Sequence, residues 1–159
     1  MTARVGLGVD FHRLAPGRPL VLGGVRIPHS TGLAGHSDAD VLLHAIGDSL
    51  LGAAGQGDIG TQFPDTDPAT LGISSLALLA QITARIAGAG WGVVNVDCVV
   101  IAEEPRLVPF FVQMQSAISS ALRISPDRVG LKATTSEQMG ALGRREGMAA
   151  LAVSLIERA

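Results

Sequence analysis

The sequence predicts an α/β domain in which helices pack on a β-sheet. Three observations lead there. Apolar residues alternate at period two in some stretches and recur at helical spacing in others, and the two patterns take turns along the chain. The 159 residues are one domain's length, with no internal repeat, low-complexity tract or charge run, so residues 1–159 read as a single domain. Hydrophobic residues make up 47% and charged ones 16%, a balance that fills a core and excludes a disordered chain.

Residues 4–12 alternate, with Val5, Leu7, Val9 and Phe11 on one face and Gly6, Gly8, Asp10 and His12 on the other, which predicts a strand with one apolar face. Residues 20–28 hold two short β-like pieces around Gly23-Gly24, a hairpin pattern. Ser37 or Asp38 is placed to cap a helix reaching Gly52, with Val41, Leu42, Ala45, Ile46 and Leu50 as its buried stripe. Residues 55–68, rich in Gly, Asp and Pro, read as a loop. A second helix starts near Ser74 or Ser75 and ends in Gly88-Ala89-Gly90. Residues 93–102 alternate again, putting Val94, Val96, Cys98 and Val100 on one side. Pro109 suits the first turn of a third helix ending near Leu122, and Ser125-Pro126-Asp127 reads as a turn. Residues 129–133 and 148–156 read as the last strands.

Composition narrows the function. Twelve basic against fourteen acidic residues give a net charge of −2, without the basic excess of a nucleic-acid binder. Four Phe, one Trp and no Tyr make no base-stacking platform. The one cysteine, Cys98, excludes an internal disulfide. The apolar run from Val5 stops at Asp10, too short for a secretory signal. The longer segment over 73–89 is broken by Ser74, Ser75, Gln81, Thr83 and Arg85, so no membrane span is expected. A mean hydropathy of +0.38 with so little charge suggests that part of the apolar surface is covered by another copy of the chain. The expectation is a cytoplasmic oligomer without nucleic-acid or membrane partners.

A metal site can be assembled from the first third. All four histidines (His12, His29, His36, His44) precede residue 45. Asp10 and His12 are two apart in a strand and leave its same face, which otherwise carries Gly6 and Gly8 and so has room beside the ligands. His44 lies mid-helix on a polar stripe with Asp40 and Asp48 one turn either side. An Asp/His/His set suits Zn²⁺, and three protein ligands leave a tetrahedral position open, the pattern of a catalytic site. The bland alternative is that Asp-x-His arises by chance and that a helix histidine is a hydrogen-bonded surface residue.

Other groups suit phosphate chemistry. His36-Ser37 near a helix N-terminus faces free N–H groups and the positive dipole end, although Ser37 could simply cap the helix. Asp58 and the acids of residues 63–68 could hold hydroxyls or a second cation, or be ordinary turn residues. Lys132-Ala133-Thr134-Thr135-Ser136-Glu137 follows a strand and contains the only lysine beside eleven arginines. Its hydroxyls and amides could cradle a diphosphate while Glu137 takes a hard divalent metal; equally, the run could be a capping box. Gly140 to Gly147, with Arg144, Arg145 and Glu146, reads as an anion loop or a surface turn.

At these residues the chain resembles the 2-C-methyl-D-erythritol 2,4-cyclodiphosphate synthase family of the non-mevalonate isoprenoid pathway. The resemblance is carried by Gly8-Val9-Asp10-Phe11-His12, Leu22-Gly23-Gly24-Val25-Arg26-Ile27-Pro28, Gly35-His36-Ser37-Asp38-Ala39-Asp40 and His44-Ala45. It continues through Leu51-Gly52-Ala53-Ala54, Gly57-Asp58-Ile59-Gly60, Phe63-Pro64-Asp65-Thr66-Asp67-Pro68, Lys132-Ala133-Thr134-Thr135 and Gly143-Arg144, with Glu146-Gly147 following. It implies one cyclodiphosphate synthase domain over residues 1–159, an α+β sandwich with a mixed sheet and helices on one side. It implies a homotrimer with active sites between subunits, whose central channel is a candidate, and no more, for an isoprenoid ligand. The implied reaction is that of a phosphorus–oxygen lyase: a cytidine-diphosphate-linked methylerythritol 2-phosphate cyclises and releases CMP.

Position by position, Asp10, His12 and His44 become zinc ligands, Asp10 and His12 also touching substrate. His36 and Thr135 become transition-state stabilisers, and Ser37 joins the phosphate shell. Asp58, Ile59 and Gly60, with Phe63, Pro64, Asp65, Thr66 and Asp67, line the methylerythritol end. Ala102, Arg106, Leu107 and Val108, with Lys132, Ala133, Thr134 and Thr135, form the cytidine pocket. Glu137 holds Mg²⁺ or Mn²⁺, and Arg144 matches a further ligand-binding position. Three departures from the family matter. Gly140-Ala141-Leu142-Gly143-Arg144 replaces Gly-Phe-Thr-Gly-Arg, losing a ring and a hydroxyl, whereas Arg106 for lysine and Ser136 for threonine keep charge and hydroxyl. Two other readings stand beside this one: a zinc-dependent phosphohydrolase, which opens the metal's free position to water, and a non-catalytic nucleotide-binding oligomer with a structural metal.

Overall fold

A computed structural model describes residues 2–64, 66 and 72–159. Its first strand, β1 (Ala3–Pro16), contains the predicted one and runs longer. β2 (Leu20–Leu22) and β3 (Val25–Ile27) form the expected hairpin. Gly23 and Gly24 turn it at φ 57° and 75°, the left-handed pair that a tight two-residue turn needs. β4 (Thr31–Leu33) returns to pair with the end of β1, Leu14 opposite Leu33. Then come α1 (Val41–Ala54), the short α2 (Ile59–Gln62) and α3 (Ser75–Gly88). β5 (Trp91–Ile101) follows, and a 3₁₀ turn carrying Pro109 leads into α4 (Phe111–Leu122). β6 (Val129–Thr134), the short α5 (Gly140–Gly143) and β7 (Gly147–Arg158) complete the chain.

The main sheet has the order β4-β1-β7-β5-β6. Only β5 and β6 run parallel, so the sheet is mixed. α1 packs on β1 and β7, α3 on β5 and α4 on β6, all on one side. Between the layers Leu42, Leu43, Ile46, Leu50, Leu79, Ile82 and Ile86 are fully buried, each contributing about 1.5–3 kcal/mol of apolar burial.

The faces of β1 are used in a way that alternation alone does not reveal. The glycine face, expected to leave room beside metal ligands, is instead where α1 lies. A Cβ on Gly6 would fall 1.8 Å from the Ser49 carbonyl oxygen, and one on Gly8 1.9 Å from that of Ala45. The apolar face is bare: Val5, Leu7 and Phe11 are 68%, 64% and 64% exposed, with Val9 and Val153 beside them.

Other differences are local. Neither Ser37 nor Asp38 caps α1; the cap is Asp40, whose side chain accepts from the Leu43 N–H. Ser37 and Ala39 take φ of 54° and 52°, which keeps the helix from starting earlier. Asp40 is also fully buried rather than part of a solvated stripe. Val94 is the extra residue of a bulge, since Val93 pairs with Ile156 and Asn95 with Leu155. It is therefore not in line with Val96, Cys98 and Val100. The loop over 55–68 contains α2, capped by Asp58.

Candidate functional site

Close packing of α1 on the glycine face of β1 brings His44 to Asp10 and His12. His12 Nε2 lies 2.9 Å from Asp10 Oδ2, and His44 Nδ1 lies 3.2 Å from the same oxygen. The two ring nitrogens are 3.3 Å apart. Donors on a tetrahedral Zn²⁺ at about 2.0–2.1 Å stand about 3.3 Å from one another. Asp10, His12 and His44 thus form a candidate metal-binding triad.

Hydrogen bonds set which nitrogens carry lone pairs. His12 Nδ1 is 2.7 Å from the Ala34 carbonyl, which only accepts, so Nδ1 carries a hydrogen. Nε2 is the nitrogen that faces the triad, hydrogen-bonded to Asp10 without a metal and able to offer its lone pair to one. Gly35 makes this seat, since a Cβ there would come within 2.8 Å of the His12 ring. Burial raises the Asp10 pKa, but hydrogen bonds and charge from His12 and His44 outweigh it and hold the carboxyl at about 2. The hydrogen bond to Asp10 raises the His12 pKa against the effect of burial. An anion beside two imidazoles suits a cation, whether metal or proton.

Around the triad, the loop before α1 carries exposed His36 and half-buried Ser37, whose carbonyl accepts from Arg18 Nη2 at 2.9 Å. On the other side Asp48, one turn beyond His44, accepts from the Ile59 N–H at 2.8 Å. That bond ties Asp58, Ile59 and Gly60 to the site. Asp58 caps α2 through the Thr61 N–H at 2.7 Å, which together with the Thr61 side chain lowers its pKa. Phe63 lies under the Arg85 guanidinium, 5.9 Å from ring centre to carbon. Pro64 and exposed Thr66 follow. Asp65, Asp67 and Pro68 lie outside the described residues.

A second group gathers where β5 and β6 end. A cleft of about 240 Å³ is lined by Ala102, Glu103, Pro105, Arg106, Leu107, Val108, Ala133, Thr134 and Thr135. Lys132 does not line it and instead pairs with Asp97 at 2.5 Å. Residues 136–138 are not a capping box. Ser136 N–H, Ser136 Oγ and Gln138 N–H all donate to Glu103 Oε1, at 2.9, 3.0 and 3.2 Å. Of the run expected to cradle a diphosphate, the Ser136 amide and hydroxyl are thus already taken by a carboxylate, and the loop presents Thr135 and Glu137, the latter at φ 54°. Arg144 pairs with Glu146 at 2.7 Å. Next to it Ala141 and Leu142 border a cavity of about 320 Å³ shared with Phe11, His12 and Met148.

In one chain the two groups are apart. Phe11, Ala149, Ile101 and Thr134 are cross-strand partners in one row. The triad's strand and the cleft's strand are therefore three strand spacings apart, roughly 14 Å. The sequence reading missed three polar residues that shape these groups: Glu103, Asp38 and Ser75. For Ser75 a signal existed, because Ser74 and Ser75 both stand at the start of α3 and only one can cap it.

No helix among the described residues is long and apolar enough to cross a membrane. Residues 3–157 match the YgbB family. The 2-C-methyl-D-erythritol 2,4-cyclodiphosphate synthase of Dehalococcoides mccartyi strain 195 is 59% identical over 97% of this chain and 98% of its own. A solved synthase of the same name in a CDP-bound form matches with TM-score 0.90 and 38% identity, covering 97% of this chain and 100% of that one. The bifunctional IspDF from Campylobacter jejuni matches with TM-score 0.95 and 41% identity over 99% of this chain, which spans 43% of that longer one. With this fold, this triad and near-complete coverage, the chain belongs to the YgbB family, among relatives named 2-C-methyl-D-erythritol 2,4-cyclodiphosphate synthase.

Proposed function

We propose that this chain catalyses the reaction named by its relatives, acting as a phosphorus–oxygen lyase of isoprenoid precursor biosynthesis. Its substrate is then 4-diphosphocytidyl-2-C-methyl-D-erythritol 2-phosphate, and its products are the 2,4-cyclodiphosphate and CMP. The observation that carries the reading is the triad of Asp10, His12 and His44, whose donors stand at tetrahedral spacing. In this reading the triad holds one Zn²⁺ per subunit and Glu137 holds Mg²⁺ or Mn²⁺.

In the reaction a 2-phosphate oxygen attacks the β-phosphorus, a P–O bond forms, and the bond to the α-phosphate breaks as CMP leaves. Bound cations would supply positive charge that offsets repulsion between the two anionic groups. The nucleophile is already ionised, so the chain's task is alignment and hydrogen bonding rather than proton removal. His36 and Thr135 donate to phosphate oxygens in the transition state, with Ser37 beside them. The cytidine fits the cleft of Ala102, Arg106, Leu107, Val108, Ala133 and Thr134; Lys132 joins it only by leaving Asp97. Asp58, Ile59, Gly60, Phe63, Pro64, Asp65, Thr66 and Asp67 take the methylerythritol end, and Arg144 contacts ligand.

The functional unit in this reading is a cytoplasmic homotrimer. The bare apolar face of β1, with Val5, Leu7 and Phe11 more than half exposed, supports it. The separation of roughly 14 Å between triad strand and cleft strand supports a site completed across subunits. The cavity at Phe11, Ala141 and Leu142 would then open on a central channel suited to an isoprenoid ligand. Phosphorus NMR of the purified protein with the cytidine-linked substrate and Mg²⁺ tests the activity. The expected result is a cyclic diphosphate with CMP. An open-chain phosphate would favour a hydrolase, and bound metal without turnover a non-catalytic nucleotide binder.

A further inference from the structure

We infer that Ser75 and Asp38 are positioning residues that fix the tautomer of His44, so that its Nδ1 lone pair is aimed at the metal. The inference rests on reading Asp10, His12 and His44 as metal ligands. It follows from the direction in which each hydrogen bond must run. A carboxylate only accepts, so the Ser75 hydroxyl, which lies against Asp38 Oδ1, donates to it. Asp38 Oδ2 accepts the Ser75 backbone N–H at 3.1 Å, which fixes the carboxylate from both sides. With its hydrogen committed, Ser75 Oγ has only lone pairs to offer His44 Nε2 at 3.2 Å. His44 Nε2 therefore carries a hydrogen, and Nδ1, 3.2 Å from Asp10 Oδ2, is the nitrogen left for the metal. A hydrogen on Nδ1 would donate to Asp10, and the Ser75–Asp38 pair biases the neutral ring against that form. Free neutral histidine leans only weakly toward the Nε2–H form, and a ring protonated at Nδ1 would close the site to metal.

Helix capping does not account for this serine. α3 is capped by Ser74, whose side chain accepts from the Ala77 N–H at 3.2 Å. Ser75 is 1% exposed and its hydroxyl is spent wholly between Asp38 and His44. The segment before α1 and the start of α3 thus meet on the outer nitrogen of a ligand from α1. Partners of this kind orient ligands and raise their basicity, and their loss typically lowers metal affinity about 10–100-fold.

Asp38→Asn is the sharpest test because it is isosteric. The amide oxygen stays on the Ser75 N–H and the NH₂ turns to Ser75 Oγ. That reverses the chain, makes Ser75 donate to His44 Nε2 and moves the ring hydrogen to Nδ1. Zinc affinity of wild type, Asp38→Asn and Ser75→Ala is measured by competition with a chelator. Imidazole nitrogen shifts of the zinc-free proteins at mildly alkaline pH report the His44 tautomer. Both variants should bind Zn²⁺ at least about tenfold more weakly. His44 should shift toward the Nδ1–H form in Asp38→Asn, and the double variant should be little worse than either single one. If Ser75→Ala does not fold, Asp38→Asn carries the test alone. Wild-type affinity in the folded variants, or weaker binding with an unchanged His44 tautomer, would overturn the inference. A wild-type protein that binds no zinc would reject the metal reading instead.

Discussion

Asp40 joins two parts of the chain through one side chain. Its Oδ1 accepts from Gly23 N–H at 3.0 Å and Leu43 N–H at 3.1 Å, and its Oδ2 from Gly24 N–H at 2.8 Å. Complete burial pushes its pKa from 3.8 up to about 6, although the three donors pull the other way. A folded pKa above the unfolded one means that the folded protein holds a proton that the unfolded chain releases. The associated stability is complete below about pH 4 and is lost as pH rises through about 6, on the order of 2–3 kcal/mol. Denaturant unfolding of Asp40→Asn should therefore lack this fall between pH 4 and 7; equal slopes in both proteins would refute the assignment. The histidines give a second contrast at this scale. His44→Ala should lose most bound zinc, because two donors from one strand cannot complete the site. His29 hydrogen-bonds to Thr31 instead, so His29→Ala should retain the metal in elemental analysis.

The contact between β1 and α1 decides whether the site exists. Gly8→Ala would drive a Cβ into the Ala45 carbonyl, against backbone on both sides. It should destabilise by about 1–3 kcal/mol or more and weaken metal binding by moving His44 from Asp10. Gly52→Ala, in the same helix with open space at its Cβ, should instead stabilise by about 0.5–1 kcal/mol. Thermal melts with zinc titration separate the two. The loop on Glu103 offers another test: Glu103→Ala should lower CDP affinity by calorimetry as the loop loosens, while Glu103→Gln keeps an acceptor and most of the affinity. If both variants instead bound CDP more tightly, Glu103 would only be repelling the diphosphate. Much of this was legible in the sequence, where strand alternation put Asp10 and His12 on one face and helical spacing brought out His44. What alternation cannot supply is which face meets which layer. The glycines of β1 read as space near ligands because the helix that fills it comes from residues 41–54. Likewise Asp38 and Ser75 are 37 positions apart, and their bond exists only after the loop before α1 has folded against α3.

At the scale of the assembly, the proposed site takes its zinc triad from one subunit and Thr135 and Glu137 from the next. His44→Ala and Thr135→Ala should each be nearly inactive alone, one lacking the metal and the other a transition-state donor. When the two are mixed under conditions that exchange subunits, some interfaces pair an intact triad with an intact Thr135. In a cyclic trimer with equal random mixing each half is intact with probability about one half, so roughly a quarter of wild-type activity should return. A Leu7→Glu variant, charged on the bare face of β1, should sediment as a smaller species and show no recovery in the same mixture. Native mass spectrometry reports whether subunits have exchanged. If they have and activity stays at the level of the separate variants, every group of a site comes from one chain. The roughly 14 Å between the two strands would then have to be closed by movement within the subunit rather than by a neighbour.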